Sequence, residues 1–227
     1  MRPPETPPRP EAPPRPDTVV RFGRVQRAVH HATGLLMIIC LATAACLYFP
    51  TLSSAVGRRD MIADIHVTSG FLLPLPMLLG WLNRAFRGDM RRLNRFFPYD
   101  WEWLRRKDRR AVVEGRGVIA IGKFNAGQKL NAAFVAGSII VMLGTGTIML
   151  SGSPPIPRFG PDWMRTGATF VHDWLTLAIF VMFLGHLYYA LDDRGALGGM
   201  ATGRVSRSWA ARHHAGWLDE LDGRTED

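Results

Sequence analysis

The stretch 168-ATFVHDWLTLAIFVMFLGHLYYAL-191 decides the fold. It is long enough to cross the hydrocarbon core of a bilayer as a helix, and Asp173 is its only charge. It carries two histidines, His172 and His186. Their spacing of fourteen residues advances a helix by about 21 Å and returns the side chain to nearly the same face. Two imidazoles therefore stand on one face of one span, toward its opposite ends.

Three further apolar runs of membrane length lie at 29–49, 65–82 and 130–150. The mean hydropathy of +0.01 hides this segregation. The run 65–82 holds Pro74 and Pro76, which predicts a kink or broken turn that neighbouring helices must satisfy. The expected fold is an all-α membrane protein, a four-transmembrane-helix bundle with spans at about 29–49, 65–82, 130–150 and 168–191.

Basic residues give the orientation. Of 28 Lys and Arg, all but Arg58, Arg59, Arg158 and Arg165 fall before residue 28, within 83–129 or after residue 191. Lys and Arg are retained on the cytoplasmic side, so both termini are expected there. A net charge of +9 would suggest nucleic acid in a soluble protein. Here topology accounts for it, so membrane lipid is the expected partner and nucleic acid is not.

Residues 1–20 begin MRPPETPPRPEAPPRPDT and lack the apolar stretch of a signal peptide. They read as a disordered Pro-rich cytoplasmic arm. Residues 21–202 form the membrane domain, and 203–227 a cytoplasmic amphipathic tail. FFPYDWEWLRRKDRR at 96–110 suits an interfacial segment at the membrane surface, and GRVSRSWAARHHAGWLDELDG at 203–223 looks like a second.

Depth sorts the histidines. The first span runs outward with His30 near its inner end. The second runs inward with His66 near its outer end. The fourth runs inward with His172 outside and His186 deeper. His66 and His172 share the outer level, and His30 and His186 the inner one. A lone His in a span is often a helix–helix hydrogen-bond partner, but ionisable groups there are costly and functional by default. Two depth-matched pairs are what two haems stacked across a bilayer require, with two neutral imidazoles closing each iron's axial positions. Gly34 and Gly70 follow His30 and His66 by one turn and leave room for a porphyrin; Gly144 and Gly146 can serve the same faces. Ordinary small-residue packing is the competing reading for each glycine. His31 points about 100° away from His30, so only one of the two faces the bundle. His213 and His214, in the basic tail, are expected to face solvent.

Cys40 and Cys46 sit six residues apart in the first span, on different faces where no disulfide fits, and read as packing residues. CxxCH is absent, so haem would be held by axial ligation and packing alone.

Three motifs carry a resemblance. GKFNAGQK at 122–129, GRVSRSWAARHH at 203–214 and QRAVHHATG at 26–34 resemble segments of the cytochrome b (gamma) subunit of respiratory formate dehydrogenases, as does the His172–His186 spacing. The likeness covers roughly residues 21–221 and leaves out the Pro-rich arm. It implies a multi-pass protein of the bacterial cytoplasmic (inner) membrane in anaerobic respiration. It implies two haem b groups, with His30 and His186 on the inner iron and His66 and His172 on the outer iron. It implies an iron–sulfur (beta) subunit and a molybdenum or tungsten catalytic (alpha) subunit as partners. Electrons would then pass through the outer and the inner haem to a membrane quinone. Asn125, Gly127 and Gln128 match that family's quinone segment, and their amides can donate hydrogen bonds to a quinone carbonyl. Lys129 either supplies charge or a proton there or snorkels to the interface.

Formate oxidation itself is not expected on this chain. Both cysteines lie in a span, and no soluble part is large enough for a pterin cofactor. One alternative keeps the di-haem bundle and makes the electron donor a hydrogenase or another oxidoreductase. Another, of a different class, is a haem-free transporter or assembly scaffold, which would need polar groups near the bilayer midplane.

Overall fold

The computed structural model describes residues 16–106, 120–154 and 156–223. Residues 1–15 of the arm, residues 107–110 of the aromatic–cationic segment and residues 224–227 of the tail lie outside the described residues, and residues 18–20 of the arm form a strand where disorder was expected. The described chain is helical apart from one two-stranded ribbon.

Four stretches are long and apolar enough to cross a membrane. They are α1 (Arg24–Tyr48), Arg59–Gly80, α7 (Ala126–Met149) and α8 (Asp162–Asp192). Each begins at least a turn ahead of its expected apolar run, because polar first turns continue the same helix. A short α2 (Pro50–Val56) joins the first two spans. The second span breaks at its prolines into α3 (Arg59–Leu72) and α4 (Leu75–Gly80). Around the break the Gly70 carbonyl accepts from Leu73 N–H at 3.2 Å and the Pro74 carbonyl from Leu78 N–H at 3.0 Å, so few backbone groups are stranded in the apolar layer.

The bundle is two packed pairs. α1 lies against α3 and α4, α7 lies against α8, and α3 also reaches α7. Gly80 permits the α1–α4 approach, since a Cβ there would sit 2.9 Å from Val29. No residue of the 25-residue α1 is buried. Leu35, Ile140, Phe170 and Trp174 are among the large exposed apolar side chains on the spans, as a lipid-facing surface requires.

Both ends of the described chain and the long loop meet at one end of this bundle. β1 (Thr18–Val20) pairs antiparallel with β2 (Arg204–Ser206), with Val19 opposite Val205. Gly203 turns the chain into β2 at φ +85, and a Cβ there would lie 2.4 Å from the Phe22 carbonyl. α5 (Arg84–Leu93) and α6 (Pro98–Arg105) come from the loop. α9 (Arg194–Thr202), α10 (Arg207–His213) and α11 (Ala215–Asp222) come from the tail. Asp193 caps α9 through Gly195 and Ala196 N–H and also accepts from the Trp209 indole at 2.9 Å. Val19, Val205, Trp209, Ala210 and Trp217 close a small core. Two buried tryptophans at about 3–5 kcal/mol each against alanine make this cap a cooperative unit. The tail is therefore a packed cap with its own core, where an interfacial segment was expected.

His214 also departs from expectation, being 2% exposed beside Arg21 at 2%. Its Nδ1–H donates to the Gly122 carbonyl at 2.7 Å, and its Nε2 accepts from the Arg21 guanidinium at 2.8 Å. A carbonyl only accepts and a guanidinium only donates, so the ring is neutral in one tautomer. His213 stacks half-buried on Trp209, with ring centroids 4.9 Å apart. Burial first, then the Arg21 charge, hold His214 well below its ordinary 6.5. The unfolded chain takes up a proton below 6.5 where the folded chain does not, so cap stability is full above 6.5 and falls as pH drops below it. Fluorescence of Trp209 and Trp217 and protease cutting in the tail should report loosening as pH falls from 7 to 5 (an acid range of about two units). His214→Gln should flatten that dependence; an unchanged acid response in the variant would assign it to another group.

Candidate functional site

The structure brings the four span histidines together in two pairs. The His30 and His186 ring centroids lie 6.0 Å apart, and those of His66 and His172 lie 6.3 Å apart. Both pairs join the first helical pair to α8, His30 coming from α1 and His66 from α3. His31 turns aside, its Nε2 3.3 Å from the Met200 carbonyl, so His30 is the ring that faces α8. His66 and His172 are half-buried, and His30 and His186 are more exposed.

These spacings fit a haem iron. Two metal–imidazole bonds of about 2 Å plus roughly 1 Å from each nitrogen to its ring centre place bis-imidazole centroids about 6 Å apart. Rings joined by a direct N–H···N hydrogen bond would sit closer. Room for a macrocycle is present as well. A Cβ built on Gly34, Gly70 or Gly144 would meet nothing within 4 Å, and one on Gly146 would lie 3.6 Å from His172 Cε1. Among the described residues no three of His, Cys, Asp or Glu gather as they would around a bare metal ion.

Two residues that sequence reasoning missed touch the His66–His172 pair. Thr43 Oγ1 lies 2.9 Å from His66 Nδ1, and Thr145 Oγ1 lies 2.9 Å from His172 Nδ1. Each hydroxyl donates one turn back, Thr43 to the Ile39 carbonyl at 2.7 Å and Thr145 to the Val141 carbonyl at 2.8 Å. The depth argument that paired the histidines also puts both hydroxyls at the depth of His66 and His172, and that signal could have found them.

At the other end, Asn125 and Gln128 form a capping box that starts α7. The Asn125 side-chain oxygen accepts from Gln128 N–H at 2.9 Å, and the Gln128 oxygen accepts from Asn125 N–H at 3.0 Å. The pattern N-x-x-Q before an apolar run is a helix-start signature in its own right. It commits both amide oxygens and leaves both amide NH2 groups as donors. Gly127 packs under Trp103, where a Cβ would sit 3.0 Å from the indole.

Lys129 does not snorkel. It is 2% exposed and pairs with fully buried Asp100 at 2.6 Å. The Phe96, Phe97 and Tyr99 rings surround its ammonium at 5.1–5.6 Å. Its ammonium is held by Asp100 inside the cap, where a snorkelling lysine would reach the interface. Beside it the Tyr99 hydroxyl is pushed up to about 12, first by burial, then by Asp100 and Glu220. Burial lowers Lys123, and Asp89 at 2.6 Å opposes that shift.

A profile described as prokaryotic cytochrome b561 matches residues 21–201. Over 207 residues the chain is 25% identical to the cytochrome b556(Fdn) subunit of the nitrate-inducible formate dehydrogenase of Escherichia coli K12, covering 90% of this chain and 92% of that one. It is 24% identical over 215 residues to the cytochrome b556(fdo) subunit of formate dehydrogenase from the same organism, covering 92% and 96%. The cytochrome b556 subunit of the Haemophilus influenzae formate dehydrogenase is 25% identical over 218 residues, covering 89% and 83%. With four membrane-length helices and this match, the chain belongs to the prokaryotic cytochrome b561 family, as a multi-pass inner-membrane cytochrome b of electron transport.

Proposed function

We propose that this chain is the membrane-anchoring di-haem subunit of a formate dehydrogenase complex, with its capped end in the cytoplasm. The observation that carries the reading is α8 itself, whose two histidines each face a histidine of the first helical pair at a separate level. His66 and His172 would ligate an outer haem b iron, and His30 and His186 an inner one. Bound there, the two groups supply one-electron steps from an iron–sulfur partner at the outer face to quinone at the inner face.

The chain's own residues do the rest. Axial ligation uses neutral imidazole, and all four histidines stand in membrane-length helices. Charge placement supports the sidedness, since twenty-four of 28 Lys and Arg fall in the sequence before residue 28, within 83–129 or after residue 191. The names of the relatives favour formate dehydrogenase over hydrogenase as the complex, with an iron–sulfur subunit and a molybdenum or tungsten subunit as partners. A haem-free scaffold has no use for two imidazole pairs at iron-spanning distance.

At the capped end, Asn125 Nδ2, Gln128 Nε2 and the first-turn amide of Gly127 offer donors to a quinone carbonyl. Such a site needs only a few hydrogen bonds, each of about 0.5–1.5 kcal/mol net, because the isoprenoid tail supplies most of the burial.

Haem content tests the ligands. The purified chain should carry about two acid-extractable haems by pyridine haemochrome. His66→Ala or His172→Ala should remove one spectral species, and His30→Ala or His186→Ala the other. A ratio near one, or the same species lost in all four variants, sinks the pairing.

The quinone site is tested by changes that keep the cap. Asn125→Asp and Gln128→Glu retain the oxygens of the capping box and remove the NH2 donors. The double variant should keep both haem spectra and its normal reduction by the partner subunit, while reoxidation by added quinone slows about tenfold, the equivalent of 1.4 kcal/mol. Unchanged reoxidation would leave the segment a helix start and no more.

A further inference from the structure

We propose that Thr43 and Thr145 are positioning residues that fix the tautomer and basicity of the outer ligand pair. The inference rests on the reading of His66 and His172 as ligands and goes beyond it. It concerns how this chain prepares one haem site differently from the other.

A threonine hydroxyl has one proton to give. Thr43 gives it to the Ile39 carbonyl at 2.7 Å, with the Cys40 carbonyl next at 3.1 Å. Thr145 gives it to the Val141 carbonyl at 2.8 Å, with the Met142 carbonyl at 3.2 Å. At 2.9 Å from each imidazole, both hydroxyl oxygens are then left only their acceptor role toward Nδ1. Nδ1 must carry the ring proton, and Nε2 across the ring is the bare nitrogen. Each half of the bundle makes this arrangement by itself, since Thr43 on α1 serves His66 on α3 and Thr145 on α7 serves His172 on α8. The rings are thus set within their own helix pairs.

The arrangement is confined to one level. Among the described residues neither His30 nor His186 has a hydroxyl placed in this way. Metal-bound imidazole commonly donates its remote N–H to an acceptor, which fixes the ring and raises the basicity of the ligating nitrogen. A more basic axial ligand favours ferric over ferrous iron. The two hydroxyls therefore lower the midpoint potential of the outer haem and leave the inner one untouched.

Thr43→Val and Thr145→Val keep shape and remove the hydroxyl acceptor. The Cys40 carbonyl remains beside His66, so Thr145→Val is the stronger of the two. Thr43→Ser and Thr145→Ser keep the hydroxyl and remove a methyl. Potentiometric titration of the purified protein, resolved by the two haem spectra, is the readout. Each valine variant should raise the midpoint of the outer haem alone, the double valine variant should raise it further, and the serine variants should match the unmodified protein. No shift with both haems present, or an equal shift of both haems, overturns the inference. Should a valine change expel the outer haem, retention in the serine variant supports the hydrogen bond. Retention in valine with loss in serine overturns it in favour of packing. His66→Ala separates this from the parent reading. If both haems survive that change, the ligand assignment itself fails. If one is lost but valine at Thr43 and Thr145 shifts nothing, the present inference alone falls.

Discussion

An imidazole placed in hydrocarbon must find partners for both its nitrogens, because no water is there to take the second one. That requirement organises the membrane part of this chain. Two histidines on one face of α8 set two levels, and each level calls for a partner ring from the first helical pair. At the His66–His172 level a hydroxyl stands by each Nδ1. The helices cannot close upon one another around such rings. The result is two packed pairs in place of one continuous core, and an α1 in which no residue is buried. Small residues beside the rings keep that spacing open.

The capped end obeys the opposite rule. There, charges are buried in pairs. Lys129 and Asp100 pair at 2.6 Å with almost no exposure. Lys123 and Asp89 pair at 2.6 Å, with Gln26 on the same carboxylate at 3.2 Å. Arg21 spans His214 and the Lys123 carbonyl. Removing one member of a buried pair strands the other charge, at about 3–5 kcal/mol. These contacts join the chain before α1, the loop before α7 and the tail after α8. They fix where the three span ends stand relative to one another, and through them the register of His30 against His186.

Much of the membrane part was legible as sequence because bilayer physics is nearly one-dimensional. Length and charge gave the spans, the depth of each histidine gave the pairs, and Pro74 and Pro76 gave the break at Leu73–Pro74. His30 and His31 could not be separated by depth, and only the turn of His31 toward Met200 separates them. The capped end was illegible for the converse reason. A basic tail with two histidines reads as solvated surface, yet His214 is buried because Arg21, nearly two hundred residues away in sequence, comes to meet it. Lys129 has no sequence neighbour that announces Asp100. Thr43 and Thr145 were overlooked because a threonine in a span normally satisfies itself on its own helix, as Thr147 does on Leu143. What sets these two apart is a second neighbour across the helix pair.

The two levels are built for different surroundings. The His66 and His172 rings are each tethered by a threonine hydroxyl, which on the proposed reading suits a site that takes electrons from a docked protein. The inner rings are more exposed and lie toward the end where the capping box leaves two amide NH2 groups free. On the proposed reading, a lipid-soluble acceptor would be bound at that end, beside the cap. The capping box reconciles the structural and functional demands on one tetrapeptide. Its oxygens start α7, and its nitrogens remain for a ligand, so neither role must yield to the other.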